Sequence, residues 1–302
     1  MVAGRIFDIK RFALNDGQGI RLTVFFKGCS LNCAWCHNPE GKSVKMQKMY
    51  TASRCIACGS CVEACPEDAC ILTSDGIVTD PSKCKLCAEC AEACPTKATE
   101  MSGTEQTVDY IMDVIEKETI FFDHSGGGVT FSGGEPLMHP EFLIDLLDSC
   151  GERGIHRTVD TCGFAKPDVL LNVAQRTDHF LYDLKMMDND KHKKWTGVSN
   201  AIILDNLQKL SKTGASINIR IPLIVGVNSD DDNIKRTAEF VKSLDGEKKL
   251  VNLLPYHDIA ANKYLKLGKE YDSADFAEPG AESKKHIISI FESYGLQAVF
   301  GG

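Results

Sequence analysis

Residues 16–41 read DGQGIRLTVFFKGCSLNCAWCHNPEG, and this stretch joins a strand to a group of cysteines. Before the cysteines, apolar side chains occupy every second position: Ile20, Leu22, Val24 and Phe26. Such alternation is typical of a β-strand, because successive side chains of a strand point to opposite faces. The strand runs into three cysteines with the spacing C-x3-C-x2-C: Cys29, Cys33 and Cys36. The sequence therefore predicts a strand over 19–26 with a cysteine loop at its carboxyl end.

The cysteine loop supplies three thiolate ligands and leaves a fourth position open. Three thiolates can hold three irons of a [4Fe–4S] cube, and the remaining iron is then free to bind another ligand. A zinc site is the alternative, because thiolates suit zinc as well as iron–sulfur clusters, and His37 would offer the fourth ligand. The spacing alone leaves both kinds of site open.

Two runs of four cysteines follow, and each ends in proline. Both have the spacing C-x2-C-x2-C-x3-C-P of bacterial ferredoxins: Cys55, Cys58, Cys61 and Cys65, then Cys84, Cys87, Cys90 and Cys94. In two-cluster ferredoxins the fourth cysteine of each run binds the other cluster. We therefore expect two [4Fe–4S] clusters, one on Cys55, Cys58, Cys61 and Cys94, and one on Cys84, Cys87, Cys90 and Cys65. Zinc is again the alternative, although zinc sites rarely need a doubled run of this kind.

Helices and strands alternate from Thr107 onward. The predicted strands lie at 128–131, 157–160, 180–184, 216–225 and 250–254. The predicted helices lie near 107–115, 140–150, 168–175, 201–212, 231–244 and 281–294. This alternation indicates βα units around a parallel sheet. Together with the strand at 19–26 it makes six units, fewer than the eight of a closed barrel. We expect an α/β fold, a partial and open (β/α)6 barrel, with residues 297–300 as an added last strand.

The cysteine-rich segment divides the predicted barrel into two parts. Residues 53–101 hold both ferredoxin runs and show almost no helix periodicity, so we predict an inserted bacterial ferredoxin-like domain with two [4Fe–4S] clusters. A unit of this size has little core of its own, and its order would come from metal binding. Residues 1–52 would form the first part of the barrel with the cysteine loop, and residues 102–302 the remainder.

Composition restricts the class of protein. The net charge of −8 argues against a nucleic-acid surface and against an anionic membrane. No apolar run approaches the ~20 residues that span a bilayer, and residues 1–16 lack the apolar stretch of a secretory signal. Fourteen cysteines without an export signal indicate metal ligands in a reducing cytoplasm. The three that fall outside the cluster spacings are interpreted as small buried residues: Cys70, Cys150 and Cys162.

The cysteine loop and its flanks resemble a known family. C-x3-C-x2-C is the hallmark of the radical S-adenosylmethionine (radical SAM) superfamily. The whole of 16–41 is similar to the start of glycyl-radical-enzyme activating enzymes, a group that includes pyruvate formate-lyase activase. That family usually has proline or a similar residue where this chain has Gln18. The resemblance extends over essentially the whole chain and implies a radical SAM barrel.

The resemblance implies a reaction and its participants. The open iron of the Cys29, Cys33 and Cys36 cluster would bind S-adenosylmethionine, and one electron from the cube would cleave its sulfonium C–S bond. The resulting 5′-deoxyadenosyl radical abstracts a hydrogen from a glycine of a partner glycyl radical enzyme, while the protein supplies positioning. The family relationship also implies flavodoxin or ferredoxin as electron donor and a monomeric enzyme.

The resemblance further assigns polar strand-end residues to the cofactor pocket. Residues 132–136, Ser-Gly-Gly-Glu-Pro, are similar to the family's GGEP motif, which holds the methionyl amino group; in isolation this Gly-Gly pair would be interpreted as a simple turn. The positions that match cofactor-binding residues are Trp35, Cys36, His37, Gly133, Gly134, Glu135, Asp160, Asp183, Leu184, Lys185, Arg220 and His257. Asp160 and the D-x-K motif at 183–185 contact the cofactor or a nearby monovalent cation in that family.

Two functions of other classes remain open from the sequence. One is a radical enzyme that acts on a small molecule or matures a peptide, and the other is an electron-transfer protein whose barrel is only a scaffold. The string at 16–41 favours the activase over the first. The GGEP and D-x-K motifs argue against the second, because a relay needs no cofactor pocket. The insert itself is either structural or an electron relay to the first cluster.

Overall fold

The computed structural model describes residues 2–247, 249–272 and 275–301, and one nine-stranded sheet dominates it. The strands in chain order are β1 (Ala3–Ala13), β2 (Arg21–Phe26), β3 (Gln47–Tyr50), β4 (Cys70–Thr73), β5 (Gly76–Thr79), β6 (Thr99–Ser102), β7 (Thr104–Thr107), β8 (Gly128–Gly133), β9 (His156–Thr161), β10 (His179–Asp183), β11 (Ile217–Leu223), β12 (Leu250–Pro255) and β13 (Ala298–Phe300). The large sheet has the order β13-β12-β11-β10-β9-β8-β2-β1-β7, and two short pairs join β3 to β6 and β4 to β5.

Seven neighbouring strands of the large sheet, β2 and β8 to β13, are parallel. Going along the chain from β2 to β8 and then to β13, each parallel strand pairs with the one before it, which is the strand order of a βα barrel. In the described residues the edge strands β13 and β7 do not pair, so the sheet stays open. The predicted α/β class, the mostly parallel sheet and the added last strand are confirmed.

The central strands β2 and β8 are buried on both faces, whereas β11 alternates buried and half-buried residues. All but one residue of β2 and of β8 are buried. Leu22, Val24, Val129 and Phe131 have no exposed surface and belong to one large core. This rigid sheet fixes the positions of the side chains that follow each strand.

The helices lie between the strands. They are α1 (Ser60–Glu63), α2 (Glu89–Glu92), α3 (Val108–Glu116), α4 (Thr119–Ser125), α5 (Pro140–Glu152), α6 (Pro167–Ala174), α7 (Asn189–Thr196), α8 (Ala201–Ser211), α9 (Asp231–Lys242), α10 (Ala261–Lys266) and α11 (Ala281–Ser293). The apolar face predicted for α5 is buried in the core. The sequence pattern does not predict five short helices, α1, α2, α4, α7 and α10, because so few turns leave little periodicity to detect. Within the described ranges no helix has the length and apolarity needed to span a bilayer.

Two antiparallel strands extend the sheet beyond β2, and the sequence pattern does not predict them. β1 pairs with both β2 and β7. Five of its eleven residues are exposed, and Arg5, Asp8 and Lys10 interrupt its apolar alternation. An antiparallel strand with a solvated face carries polar residues, so a search for buried apolar runs passes over it.

The cysteine-rich segment lies between β3 and β6, whose antiparallel pairing places Tyr50 opposite Thr99. It contains α1, α2 and the β4–β5 hairpin, and its own buried cluster is limited to Cys61, Cys70, Ile77 and Cys90. Its two halves repeat the same backbone. The left-handed residues Ala57 and Asp68 of the first half correspond to Leu86 and Lys97 of the second.

Candidate active site and thiol-lined cavities

A cavity of about 220 Å³ opens at the carboxyl ends of the parallel strands, where ligands bind in folds of this class. The predicted site residues that line it are Cys29, Cys33, Trp35, Cys36, His37, Gly133, Gly134, Asp160, Asp183, Lys185 and Arg220. Three others, Glu135, Leu184 and His257, are not part of its wall. The structure therefore brings the three thiols of the cysteine loop together with a set of charged strand-end side chains.

The three thiols of the loop are largely buried. Burial raises the pKa of Cys29 to about 12 and the pKa of Cys33 to about 11. Burial also raises the pKa of Cys36. A buried thiol ionises when a positive charge compensates it, and a coordinated metal ion removes the proton outright. The donor set and its surroundings therefore suit a metal cluster.

The cysteine loop is held by contacts with the barrel. Lys42 Nζ donates to the Cys33 carbonyl and to Asn32 Oδ1, with both distances at 2.9 Å. Lys263 of α10 forms a 2.6 Å ion pair with the nearly buried carboxylate of Glu40. The Lys42 bonds tie residue 42 back to the loop, and the Lys263 pair joins the segment after the loop to α10, so the protein itself restrains the positions of the thiols.

Gly133 and Gly134 allow the end of β8 to lie directly against β2. Gly133 has a φ of 118°, and a Cβ there would lie 2.3 Å from the Phe26 nitrogen. A Cβ on Gly134 would lie 2.1 Å from the Gly28 carbonyl oxygen. No other residue fits either position without displacing backbone. The main chain of this turn therefore forms part of the cavity wall.

Glu135 is fully buried, and protein donors occupy its carboxylate. Oε1 accepts from Thr161 Oγ1 at 2.6 Å and from Leu137 N at 3.1 Å. Oε2 accepts from the nitrogen and the sulfur of Cys162, each at 2.9 Å. Burial raises the pKa of this carboxyl despite these bonds. The side chain ties the GGEP turn to the end of β9.

Charged side chains from three neighbouring strands form one network in the cavity wall. Lys185 Nζ donates to Asp183 Oδ2 at 2.8 Å. Arg220 Nη1 lies 3.2 Å from Asp160 Oδ2, which also accepts from Ser132 Oγ at 2.6 Å. Burial raises the pKa of Asp160 to about 6, although the nearby Arg220 opposes this shift. The parallel register of β10 and β11 places Asp183 beside Arg220.

Arg220 retains unused hydrogen-bonding capacity. Its Nε and Nη1 atoms are buried and, within the described part of the chain, have no partner with hydrogen-bond geometry. Leaving such a buried donor unpaired costs on the order of 1–3 kcal/mol. A bound carboxylate would satisfy it, because the guanidinium fork matches carboxylate geometry. The methionyl part of S-adenosylmethionine carries such a group.

The remaining predicted residues lie around the cavity without lining it. Leu184 is buried in the apolar core. His257 is exposed and stacks on His37 with 4.2 Å between ring centroids. Burial lowers the pKa of His37 to about 4, so that its ring is neutral near pH 7. His257 therefore reaches the cavity wall only through His37.

The cysteines of the two ferredoxin runs gather in two separate cavities. One, here called the Cys55 cavity, is lined by Cys55, Cys58, Cys61 and Cys94. The other, here called the Cys84 cavity, is lined by Cys65, Cys84, Cys87 and Cys90. Each cavity takes three cysteines from one run and the fourth from the other, which is the crosswise grouping expected from the ferredoxin pattern.

Sequence reasoning missed several residues at these places. Lys48 and Cys70 line the Cys84 cavity, and Tyr50 lines the Cys55 cavity. The sequence does show that Cys70 is a difference between the two runs. It follows Cys65 by five residues, and the residue at the same distance after Cys94 is Thr99. No comparable signal existed for Lys48 and Tyr50, because the pairing of β3 with β6 brings them to the insert.

Comparisons with known proteins agree with this geometry. The family model described as the radical SAM superfamily matches residues 71–241, and a 4Fe-4S single cluster domain matches residues 15–61. The trans-4-hydroxy-L-proline dehydratase activating enzyme of Clostridioides difficile is 46% identical over 98% of this chain and 99% of its own length. The choline trimethylamine-lyase activating enzyme of Oleidesulfovibrio alaskensis is 41% identical over 88% of this chain and 87% of its own length.

A solved structure is similar as well. A domain of a pyruvate-formate lyase-activating enzyme from Bacteroides vulgatus is 43% identical with a TM-score of 0.51, and the match covers 58% of this chain and 99% of that domain. Several relatives thus share both the family and nearly the full length with this chain, and the predicted resemblance is confirmed. The chain belongs to the radical SAM superfamily and, within it, to the glycyl-radical enzyme activating enzymes.

Proposed function

We propose that this chain holds a [4Fe–4S] cluster on Cys29, Cys33 and Cys36 and binds S-adenosylmethionine in the adjoining cavity. The observation that carries this assignment is the meeting, in one cavity, of three largely buried thiols and of Arg220, whose Nε and Nη1 atoms make no hydrogen bond to the described residues although Asp160 lies within ion-pair distance. Three thiolates leave one iron of a cube open to a further ligand. When bound, the cluster and the cofactor supply a 5′-deoxyadenosyl radical for hydrogen abstraction from a glycine of the partner enzyme.

The chain's own residues bind and orient the cofactor. Arg220 and Lys185 are the cations available to the methionyl carboxylate. Asp160 and Asp183 hold these two cations in place, and their carboxylates are also the groups available to a monovalent cation. Trp35 lines the same cavity from the cysteine loop and offers an aromatic surface to the adenosyl part of the cofactor.

Glu135 acts on the cofactor through the turn that it fixes. Its carboxylate is already bound to Thr161, Cys162 and Leu137. The main-chain carbonyls of Gly133 and Gly134 are then the groups of the GGEP motif that can accept from the methionyl ammonium.

The Cys55 and Cys84 cavities would each hold an auxiliary [4Fe–4S] cluster. Residues 53–101 would then be a ferredoxin-like domain inserted between the two parts of the barrel, 1–52 and 102–302. The crosswise grouping of eight cysteines supports this assignment. Two neighbouring clusters suit the transfer of electrons from flavodoxin or ferredoxin to the catalytic cluster. The proposed enzyme is cytoplasmic and monomeric.

The partner that we propose is a trans-4-hydroxy-L-proline dehydratase. A relative that activates this enzyme is 46% identical over 98% of the chain, compared with 41% over 88% for the choline trimethylamine-lyase activase. The partner must bind at the open end of the cavity, because the abstracted hydrogen has to approach the bound cofactor.

The test is an anaerobic activation assay with a trans-4-hydroxy-L-proline dehydratase and, in parallel, a choline trimethylamine-lyase. The reconstituted enzyme should bind about twelve irons, as three cubes require. It should form 5′-deoxyadenosine, and electron paramagnetic resonance (EPR) should detect a glycyl radical on the dehydratase. Cys36→Ala should abolish both products. Cys150→Ala, which removes a buried cysteine of α5 outside the cavities, is the matched control and should retain them.

The outcomes separate the parts of the proposal. A radical on the choline lyase alone would correct the partner. Formation of 5′-deoxyadenosine without a radical on either protein would favour an enzyme that acts on a small molecule or a peptide. An iron content near four with normal cleavage would leave the insert without its clusters.

A further inference from the structure

The Cys84 cavity contains a lysine that the proposed function does not use. Lys48 of β3 is half-buried and lines this cavity. Its Nζ donates to Cys70 Sγ at 3.2 Å and to Thr79 Oγ1 at 2.8 Å, and it also lies against Cys90. Neither a thiol nor a hydroxyl neutralises an ammonium, so the positive charge of Lys48 remains beside the thiols of the cavity.

The other charged residues of the Cys84 cavity compensate each other. Lys85 and Glu67 both line the cavity and form an ion pair at 2.6 Å. The Lys85 side chain is 71% exposed, so solvent and salt screen its charge. Lys48 differs because it is half-buried and its partners are uncharged.

The Cys55 cavity lacks such a cation, although the two halves of the insert repeat the same backbone. Among the described residues that line it, none is charged. Tyr50, two residues beyond Lys48 on β3, takes the place beside this cavity, and its hydroxyl accepts from the nitrogen of Ile77. Thr99 occupies the position that corresponds to Cys70. One strand thus provides an ammonium to one cavity and a phenol to the other.

We propose that Lys48 raises the reduction potential of the [4Fe–4S] cluster in the Cys84 cavity and not that of the cluster in the Cys55 cavity. This inference rests on the proposed function, because it requires both auxiliary clusters. Reduction adds one electron to the cube and makes the cluster more negative by one unit. A fixed positive charge at short range stabilises that state, and hydrogen bonds and solvent exposure at the sulfurs modulate it further.

Cys70 is the positioning residue for this charge. It is 4% exposed at the start of β4, directly paired with Thr79 of β5. The hairpin therefore presents a sulfur and a hydroxyl side by side, and both accept from the same ammonium. The electron supplied by the donor would be stabilised at the cluster beside this hairpin.

The test is a potentiometric titration of the holoenzyme followed by EPR. The signal that changes on addition of S-adenosylmethionine belongs to the catalytic cluster, and Cys87→Ser, which perturbs a ligand of the Cys84 cavity, identifies the cluster there. Lys48→Gln should lower the equilibrium constant for reduction of that cluster about tenfold, which is ~59 mV for one electron. Lys48→Arg keeps the charge and should restore most of the potential. Lys45→Gln removes an exposed lysine outside the cavity and is the matched control.

The outcomes distinguish this inference from the function on which it rests. Twelve irons with no shift in Lys48→Gln, or an equal shift of both auxiliary clusters, would overturn the role of Lys48 alone. A wild-type iron content near four would overturn the auxiliary clusters and this inference together. Cys70→Ser should keep all irons and lower the same potential by less than Lys48→Gln; loss of about four irons would make Cys70 a ligand and end its positioning role.

Discussion

The cysteine loop of the barrel and the two cavities of the insert present the same chemical group in opposite surroundings. In the loop, Cys33 is buried, and burial raises its pKa to about 11. In the insert, Cys58 and Cys87 are exposed. Contacts with Ser60 lower the pKa of Cys58. The loop thiols lie against a large core, whereas the insert thiols themselves make up much of a very small one.

This difference means that the two sets of thiols are positioned in different ways. The loop follows a buried strand and is fixed by bonds from Lys42 and Lys263, so the barrel determines its geometry. The insert has a buried cluster of four residues, three of which are cysteines. A segment with so little apolar burial would gain its order chiefly from the clusters that we propose it binds.

The largest expected effect follows from removing the iron. Chelation of the reconstituted enzyme should unfold residues 53–101 while the barrel stays folded, because the proposed auxiliary clusters would supply most of the insert's core, whereas the barrel has a large apolar core. Hydrogen exchange followed by mass spectrometry should show near-complete loss of protection in the two ferredoxin runs and unchanged protection in β8 and β9. Equal protection of the insert with and without iron would show that it folds on its own contacts.

A second, intermediate effect is expected at the cavity wall. Arg220→Ala should weaken S-adenosylmethionine binding roughly 10- to 100-fold, since hydrogen bonds to charged groups contribute about 1.5–3 kcal/mol. Equilibrium dialysis would measure this, and the iron content should not change. The matched control is Arg157→Ala, which breaks a comparable pair with Asp178 at the other end of β9. Loss of iron in Arg220→Ala would instead mean that Arg220 supports the loop.

The smallest effect on the cofactor is expected from Glu135→Gln. The amide would place a donor against the donors of Thr161 or Cys162, which should destabilise the fold by about 1–3 kcal/mol. Thermal unfolding would measure this cost, and the cofactor dissociation constant should stay within about threefold. Glu141→Gln, at an exposed position at the start of α5, is the control. Weak binding with unchanged stability would place the carboxylate on the ligand.

The barrel could be predicted from the sequence because its strands are short, buried and separated by amphipathic helices. The same rule hid β1, whose charges at Arg5, Asp8 and Lys10 belong to a solvated antiparallel strand. The crosswise grouping of the thiols could also be predicted, because in ferredoxins with this spacing the fourth cysteine of each run joins the other set. The placement of Glu135 did not, since a motif names a residue without saying whether its side chain or its backbone meets the ligand.

Lys48 shows a further limit of sequence reasoning. It lies in the stretch 42–48, where three lysines are typical of a solvated connector, and only the pairing of β3 with β6 brings it beside Cys70. Contacts that depend on such long-range pairing leave no periodicity in the local sequence, so only the three-dimensional structure shows them.

The pairing of Tyr50 with Thr99 also has an evolutionary consequence. The chain leaves the barrel and returns to it at adjacent points, so the two ends of the intervening segment already have the spacing of a hairpin. A two-residue turn can close such a pair of strands. A single deletion could therefore remove the whole cysteine-rich segment between β3 and β6, and a single insertion could add it, without changing the path of any strand of the large sheet. The two thiol-lined cavities would then be gained or lost together, as one module.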